Sequence, residues 1–201
     1  MFLSSGFDKH PYQQYLSINN QVFCRALTVI SRSRPNLEVI YAKYFRTYHR
    51  SMPIVDKELF DSRLQDLYTS SNPHFSTLLL AMFLISELSP PTRQGGDSPE
   101  ELYFAVKSNY SLLQCTRELS IELVQSGILI ASYEHCQGLH EAAWLSIGTC
   151  ARMGYALGLH KLLRKTLLEE EESGITSNIG RCVWWGIVIL ERYGPLLTRG
   201  N

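Results

Sequence analysis

The sequence has few of the features that mark secreted or membrane-spanning chains. Its five cysteines are scattered over 201 residues with no Cys-x-x-Cys pair, which predicts reduced thiols rather than a disulfide framework. The start has no basic segment followed by a long apolar run, so a secretory signal is not expected. The longest apolar run, from Leu78 to Ile85, has eight residues, far below the ~20 that span a bilayer. We therefore expect a soluble intracellular protein with no membrane partner.

An excess of charge of either sign is also lacking. The 19 Lys and Arg residues balance the 19 Asp and Glu residues, so nothing suggests that the whole surface binds nucleic acid. Hydrophobic residues make up 45% of the chain, which is enough for one sizeable core.

What the sequence does contain is helical periodicity. After Pro35, apolar side chains recur every three or four residues as far as Tyr48, which predicts an amphipathic helix. The segment from Asn72 to Leu88 is apolar on all sides, as expected of a helix buried in the centre of the fold. Side chains that can accept hydrogen bonds from the first turn predict helix starts at Asn36, at Asp56 and at Asn72, which Pro73 follows. Ser98, followed three residues later by Glu101, predicts another start.

Two further helices are predicted on either side of Gly138, and they form an antiparallel pair. Gly148 and Gly154 lie inside the second, which indicates close approach of neighbouring helices. A final helix is predicted to end before Pro195. Since no segment alternates between apolar and polar residues over a useful length, the predicted fold class is all-α, a multi-helix bundle of antiparallel helix pairs.

Candidate metal and catalytic sites are weak. His135, Cys136 and His140 could supply two ligands, but a structural zinc site needs four, so we assign no metal ligand. The segment "HEAAW" begins like a metalloprotease motif, yet Trp144 stands where the second histidine is required. No nucleophile elbow, P-loop or dinucleotide fingerprint occurs. We therefore predict no catalytic residue and no enzyme, although an all-α enzyme stays open if histidines and a carboxylate converge on one cavity.

Other conspicuous residues have simple structural explanations. Gly95 and Gly96 are expected to form a linker rather than an anion-binding site. The acidic run of residues 169–172 is expected to form a charged face in contact with solvent. Five aromatic residues could line a ligand pocket: Tyr41, Tyr44, Tyr48, Trp184 and Trp185. Their helical spacing is better explained by packing in the core. We therefore assign no ligand-binding residue.

Three stretches, in this order, resemble the fungal-specific transcription factor domain. This is the middle regulatory region of fungal regulators that usually carry an N-terminal zinc binuclear cluster. The stretches are "YFRTYHRSMPIVDKELF" (residues 44–60), "SIGTCARMGYALGLHK" (residues 146–161) and "RCVWWGIVILERY" (residues 181–193). The resemblance implies an all-helical fold. The residues that match the family motif are expected to be architectural: Arg152, Met153, Leu157, Gly158, Leu159, His160, Trp184, Trp185 and Arg192.

The resemblance also implies a function in transcription regulation in the nucleus, with the cytoplasm as the alternative. We expect an N-terminal segment and first helix over residues 1–35, followed by a partial regulatory domain over residues 36–201. The six-cysteine cluster is missing, so zinc and DNA would bind only through a module absent here. A partner protein, a small-molecule inducer and a dimer all stay open, while the target genes and the inducer cannot be read. The alternative function is a free-standing helical scaffold or a dominant-negative regulator without DNA binding.

Departures from the family pattern predict a fragment. The approach to the tryptophans, "NIGRCVWW", keeps only Arg181 of the usual charged residues, and Glu191 with Arg192 approximates an expected aspartate-arginine pair. Further helices are expected after "LLTRGN". Because those helices would cover apolar surface, we predict a truncated bundle that exposes a hydrophobic patch and aggregates.

The end of the second paired helix is predicted in detail. Gly158 fits the C′ position in a left-handed conformation, with Leu159 folding back on the helix. His160 and Lys161 follow, where a donor or a positive charge suits the negative end of the helix dipole. We interpret His160 as a structural donor rather than a site residue.

Overall fold

The computed structural model describes residues 10–32, 37–67, 69, 71–88, 98–116, 118–166 and 175–197. These residues are mostly helical, and no strand occurs among them, which confirms the all-α class. The helices are α1 (His10–Arg32), α2 (Leu37–Arg46), α3 (Tyr48–Ser51), α4 (Lys57–Gln65), α5 (Pro73–Ser86), α6 (Pro99–Gln114), α7 (Ile121–Cys136), α8 (His140–Ala156), α9 (Leu159–Thr166) and α10 (Ile175–Leu197).

Side-chain caps set the starts of several helices, as predicted. Asp56 accepts a hydrogen bond from the Leu59 amide at 2.8 Å, and Asn72 accepts one from the Phe75 amide at 2.9 Å. At the start of α6 the Ser98 hydroxyl accepts from the Glu101 amide while the Glu101 carboxylate accepts from the Ser98 amide. Such caps satisfy amides that have no partner within the helix. The predicted cap Asn36, the linker around Gly95 and the acidic run all lie outside the described residues.

Helix α5 is the centre of the fold. Every one of its residues is buried, and it packs against α1, α2, α6 and α7. A helix enclosed on all sides has no solvent face to carry polar residues, which explains the apolar run from Leu78 to Ile85. The prediction of a central buried helix is confirmed.

Helix α1 is part of the same core. Its buried side chains Val22, Ala26 and Ile30 belong to the hydrophobic cluster that contains α5, and α1 packs against both α5 and α6. The predicted division of the chain at residue 35 stays a prediction.

Two details of the predicted helices are wrong. The turn at Thr47 divides the first amphipathic segment into α2 and the short α3. Helix α10 does not end before Pro195 but continues to Leu197. A proline two residues before a helix end removes one hydrogen bond, and its φ of about −65° is already helical. Antiparallel pairing of successive helices stays a prediction for the bundle as a whole.

Candidate functional site

The family-motif residues meet where α8, α9 and α10 join. Helix α8 presents small and apolar side chains to its neighbours, among them the buried Ala143, Ile147 and Cys150. A Cβ added to Gly154 would lie 3.0 Å from Ile187 and 3.2 Å from the Trp184 ring, both on α10. The predicted close approach is therefore confirmed at Gly154, which lets the backbone of α8 contact α10.

The same prediction is wrong for Gly148. The nearest atom to a Cβ added there is a nitrogen of Arg152, 3.5 Å away and on the same helix. Gly148 lies on the outer side of α8, where no other helix crowds its backbone.

Gly158 forms the turn between α8 and α9. Its φ is +73°, and its amide donates to the Tyr155 carbonyl at 3.0 Å. An L side chain rarely adopts this conformation, which explains the glycine. The predicted left-handed glycine is confirmed, but the chain enters a new helix at once, so Leu159 begins α9. A Cβ on Gly180 of α10 would lie 3.5 Å from Leu159, so this buried leucine packs against α10.

His160 is therefore the second residue of α9 and does not simply follow the end of α8. Its ring lies 4.7 Å from the Tyr155 ring and 5.9 Å from the Trp184 ring, centroid to centroid. Its Nδ1 is buried and has no hydrogen-bond partner among the described residues. A first-turn position faces the positive end of the α9 dipole, which corrects the dipole argument made from the sequence. The donor role of His160 stays a prediction.

The two adjacent tryptophans have opposite environments. Trp184 is 8% exposed and packs edge-on against Tyr155 with 5.0 Å between ring centroids. Trp185 is 51% exposed, so the prediction that both belong to the core is wrong for Trp185. Neighbouring positions on a helix are rotated by 100°, and only one of them can face α8.

The remaining motif residues divide into inner and outer positions. Met153 and Leu159 are buried, and Leu157 packs against the core from a partly buried position. Arg152 is exposed, and its guanidinium donates to the Gly148 carbonyl at 3.0 Å. Arg192 is also exposed. The junction is thus an apolar helix contact with two arginines outside it.

A buried polar cluster joins α6, α7 and α8, and the sequence analysis missed it. The Glu134 carboxylate is fully buried and accepts hydrogen bonds from Tyr103 at 2.8 Å, Lys107 at 2.5 Å and Ser146 at 2.6 Å. The Lys107 ammonium also donates to the Ser146 hydroxyl at 2.6 Å. A glutamate in a helix that is rich in apolar residues is a signal for such a pair, because buried carboxylates need partners.

The histidines near Gly138 lie in partly buried and exposed positions at the end of α7 and the start of α8. Burial lowers the pKa of His135, and the nearby His140 lowers it further, while Cys136 is exposed. Within the described ranges, no three His, Cys, Asp or Glu residues come together as a set that could hold a metal ion.

Comparison with known proteins identifies the family. The model of the fungal specific transcription factor domain matches residues 42–195, which is more than half of the chain and includes α8, α9 and most of α10. An all-helical fold whose motif residues meet at one helix junction agrees with that match. The chain belongs to this family.

Two curated proteins are similar in sequence. Transcription factor BOA15 of Botryotinia fuckeliana is 30% identical over 118 residues, 59% of this chain and 64% of that protein. The lactose regulatory protein LAC9 of Kluyveromyces lactis is 26% identical over 172 residues, 86% of this chain but 18% of that protein. The chain thus aligns with less than two thirds of either relative. No solved structure matches. Among the described residues, no helix is both long and apolar enough to cross a bilayer.

Proposed function

We propose that this chain is the regulatory domain of a fungal transcription factor that acts in the nucleus without catalysing a reaction. The observation that carries the proposal is the family match over residues 42–195. Both curated relatives are named as a transcription factor or a regulatory protein.

The role of the motif in this proposal is architectural. The backbone of α8 at Gly154 lies so close to α10 that an added Cβ would come within 3.2 Å of the Trp184 ring.

 The motif thereby holds two helices at a fixed distance, so we assign it to the stability and shape of the domain. No residue of it is assigned to a ligand.

DNA and zinc enter this proposal only through a binuclear cluster supplied outside this sequence. The five cysteines lie on or at the end of five different helices: Cys24 on α1, Cys115 at the end of α6, Cys136 on α7, Cys150 on α8 and Cys182 on α10. The chain would therefore modulate transcription through a partner protein or a small-molecule inducer, as a monomer or a dimer.

A reporter assay tests the proposal. The chain is fused to a heterologous DNA-binding module, and transcription is compared with that from the module alone. We expect the fusion to change reporter output, and we expect Gly127→Ala, which disrupts the core, to abolish the change. Gly148→Ala is the matched control, because its Cβ would meet only the Arg152 side chain, at an ordinary contact distance of 3.5 Å.

The outcome also separates the alternative function. An unchanged reporter, together with co-purification of proteins unrelated to transcription, would reject the regulatory role in favour of a free-standing scaffold. Recovery of intact regulators with the chain would instead indicate a dominant-negative form of the same regulation.

A further inference from the structure

A groove lies between α1 and α6, on a surface that the family motif does not reach. It encloses about 460 Å³, within the range of roughly 300–1,000 Å³ that is usual for ligand sites. Its walls are residues of the two helices, and its rim carries two arginines and an exposed aromatic ring: Arg25, Val29 and Arg32 from α1, and Phe104, Ala105 and Ser108 from α6.

The described residues that line the groove carry positive charge and no negative charge. No carboxylate is among the described residues that line it, and the sequence of α1 contains no Asp or Glu. Arg25 and Arg32 are both exposed, and neither guanidinium has a hydrogen bond or ion pair with another described residue. Within the described part of the chain, the two charges face no acidic partner.

The spacing of the arginines defines what kind of anion fits. They are seven residues apart on one helix, which places them on the same side with about 10 Å between them along the axis. Between them lies apolar surface, since Val29 lines the groove and Phe104 is 65% exposed. A large aromatic side chain left exposed beside unpaired arginines is typical of an interface residue.

We propose that this groove binds an acidic amphipathic helix of a partner protein. Two carboxylates seven residues apart on that helix would pair with Arg25 and Arg32, because both helices rise by the same distance per residue. An apolar side chain between the carboxylates would pack on Phe104 and Val29, as in other complexes of a helix in a groove. This inference goes beyond the proposed function, since it concerns a separate surface and holds for the purified chain whether or not it regulates transcription.

Fluorescence anisotropy with the full 201-residue chain tests the proposal. The probe is a labelled helical peptide with glutamates at positions 4 and 11 and leucines at positions 7 and 8. We expect saturable binding that weakens about ten-fold or more when both glutamates become glutamine, because the ion pairs are lost. Equal binding of the two peptides would overturn the proposal.

Charge exchange makes the test specific to the groove. The variant Arg25→Glu/Arg32→Glu should bind the acidic peptide ten-fold or more weakly than the unmodified chain does. It should instead bind a peptide that has lysines in place of both glutamates. The control Arg50→Glu/Lys161→Glu changes the net charge equally on exposed positions elsewhere, and it should leave binding within two-fold. Equal losses in the two variants would mean a diffuse charge effect and would reject the groove.

The apolar part of the contact is tested at Phe104. Phe104→Ala should weaken binding of the peptide several-fold. The circular dichroism spectrum and the melting temperature should stay unchanged, because this ring is mostly exposed. Wild-type affinity in this variant would contradict the proposed packing. A linear dicarboxylic acid of about 10 Å serves as the small-molecule arm, and binding of that acid in place of the peptide would reject a protein partner.

Discussion

Among the glycines in the described part of the chain, Gly127 has the closest neighbours. A Cβ added there would overlap the Tyr110 hydroxyl and the Cys150 sulfur, and it would come within 2.8 Å of the Tyr110 ring. Tyr110 and Cys150 are buried, so neither can move aside without disturbing the packing of α6 and α8. A single missing methyl group thus determines how closely three helices approach.

We predict that Gly127→Ala destabilises the chain by about 2 kcal/mol, in the range found for overpacked cores. Urea unfolding followed by circular dichroism measures the change. Gly148→Ala is the control, and we expect it to stabilise by about 0.5–1 kcal/mol because alanine favours the helix and nothing crowds it. Similar effects of the two substitutions would contradict the packing described for Gly127.

Buried histidines make stability depend on pH. Burial lowers the pKa of His74, and the charge of Glu118 opposes this only in part; the His74 Nδ1 lies 2.7 Å from the Ser120 hydroxyl. Burial also lowers the pKa of His49 and of His135. A lowered pKa means that the unfolded chain binds protons more readily than the folded chain, so the contribution is present above the unfolded pKa of about 6.5 and is lost as the pH falls.

We predict that the free energy of unfolding falls as the pH is lowered from 7.5 through 6.5 towards the lowered pKa values of the folded state. Replacing His74 by Gln removes one titrating group and should flatten this dependence. His140→Gln is the comparison, since this side chain is exposed. Unfolding curves at several pH values measure the slope, and a steeper slope in His74→Gln would refute the assignment.

At the scale of elements, α6, α7 and α8 are joined by the cluster around Glu134. Its carboxylate has partners on both neighbouring helices, and Lys107 contacts both Glu134 and Ser146. The Lys107 side chain is 30% exposed whereas that of Glu134 is fully buried. Loss of Lys107 would leave a carboxylate in the interior without its counter-charge, which is more costly than removal of both groups.

We predict that Lys107→Met destabilises the chain by about 3 kcal/mol. The double variant Lys107→Met/Glu134→Gln should recover at least half of that loss, because no buried charge remains. A double-mutant cycle in urea gives the coupling energy. Additive effects of the two substitutions would show that the pair does not act as a unit.

Helix α10 offers a matched pair of neighbouring side chains. Trp184→Ala should cost about 3 kcal/mol, because it leaves a cavity against Tyr155 and Gly154. Trp185→Ala should cost under ~1 kcal/mol, since half of that ring is already in water. Thermal melts of the two variants compare them directly, and equal losses would mean that the orientation of α10 is wrong.

At the scale of the whole molecule, several large apolar side chains are exposed on α8 and α10. Trp144 is 68% exposed and Leu145 62% exposed, while Trp185 and Ile189 lie four residues apart on the outer side of α10. Exposed apolar surface of this kind favours association.

We predict that the purified chain self-associates at micromolar concentration through these exposed side chains. Trp185→Ser/Ile189→Ser should increase the monomer fraction in light scattering without lowering the melting temperature, because both side chains are exposed. A monomer with a single cooperative melt in the unmodified chain would contradict the prediction.

The sequence by itself determined the local structure and the family. Helix starts at Asp56, Asn72 and Ser98 could be predicted because a cap and its partner amide are three residues apart. The left-handed Gly158 and the all-buried α5 are equally local, since each depends on the residue type or on the composition of one helix. The family motif also lies in continuous stretches of the chain.

Only the tertiary structure decided which positions face each other. The Lys107–Glu134 pair spans 27 residues, and helical periodicity cannot say whether Trp184 or Trp185 faces α8. Periodicity also cannot say whether Gly154 or Gly148 lies against a neighbouring helix, or that α1 and α6 form a groove. The physical reason is that periodicity defines the faces of a helix, whereas the packing of distant helices determines which face is buried and which side chain becomes a partner.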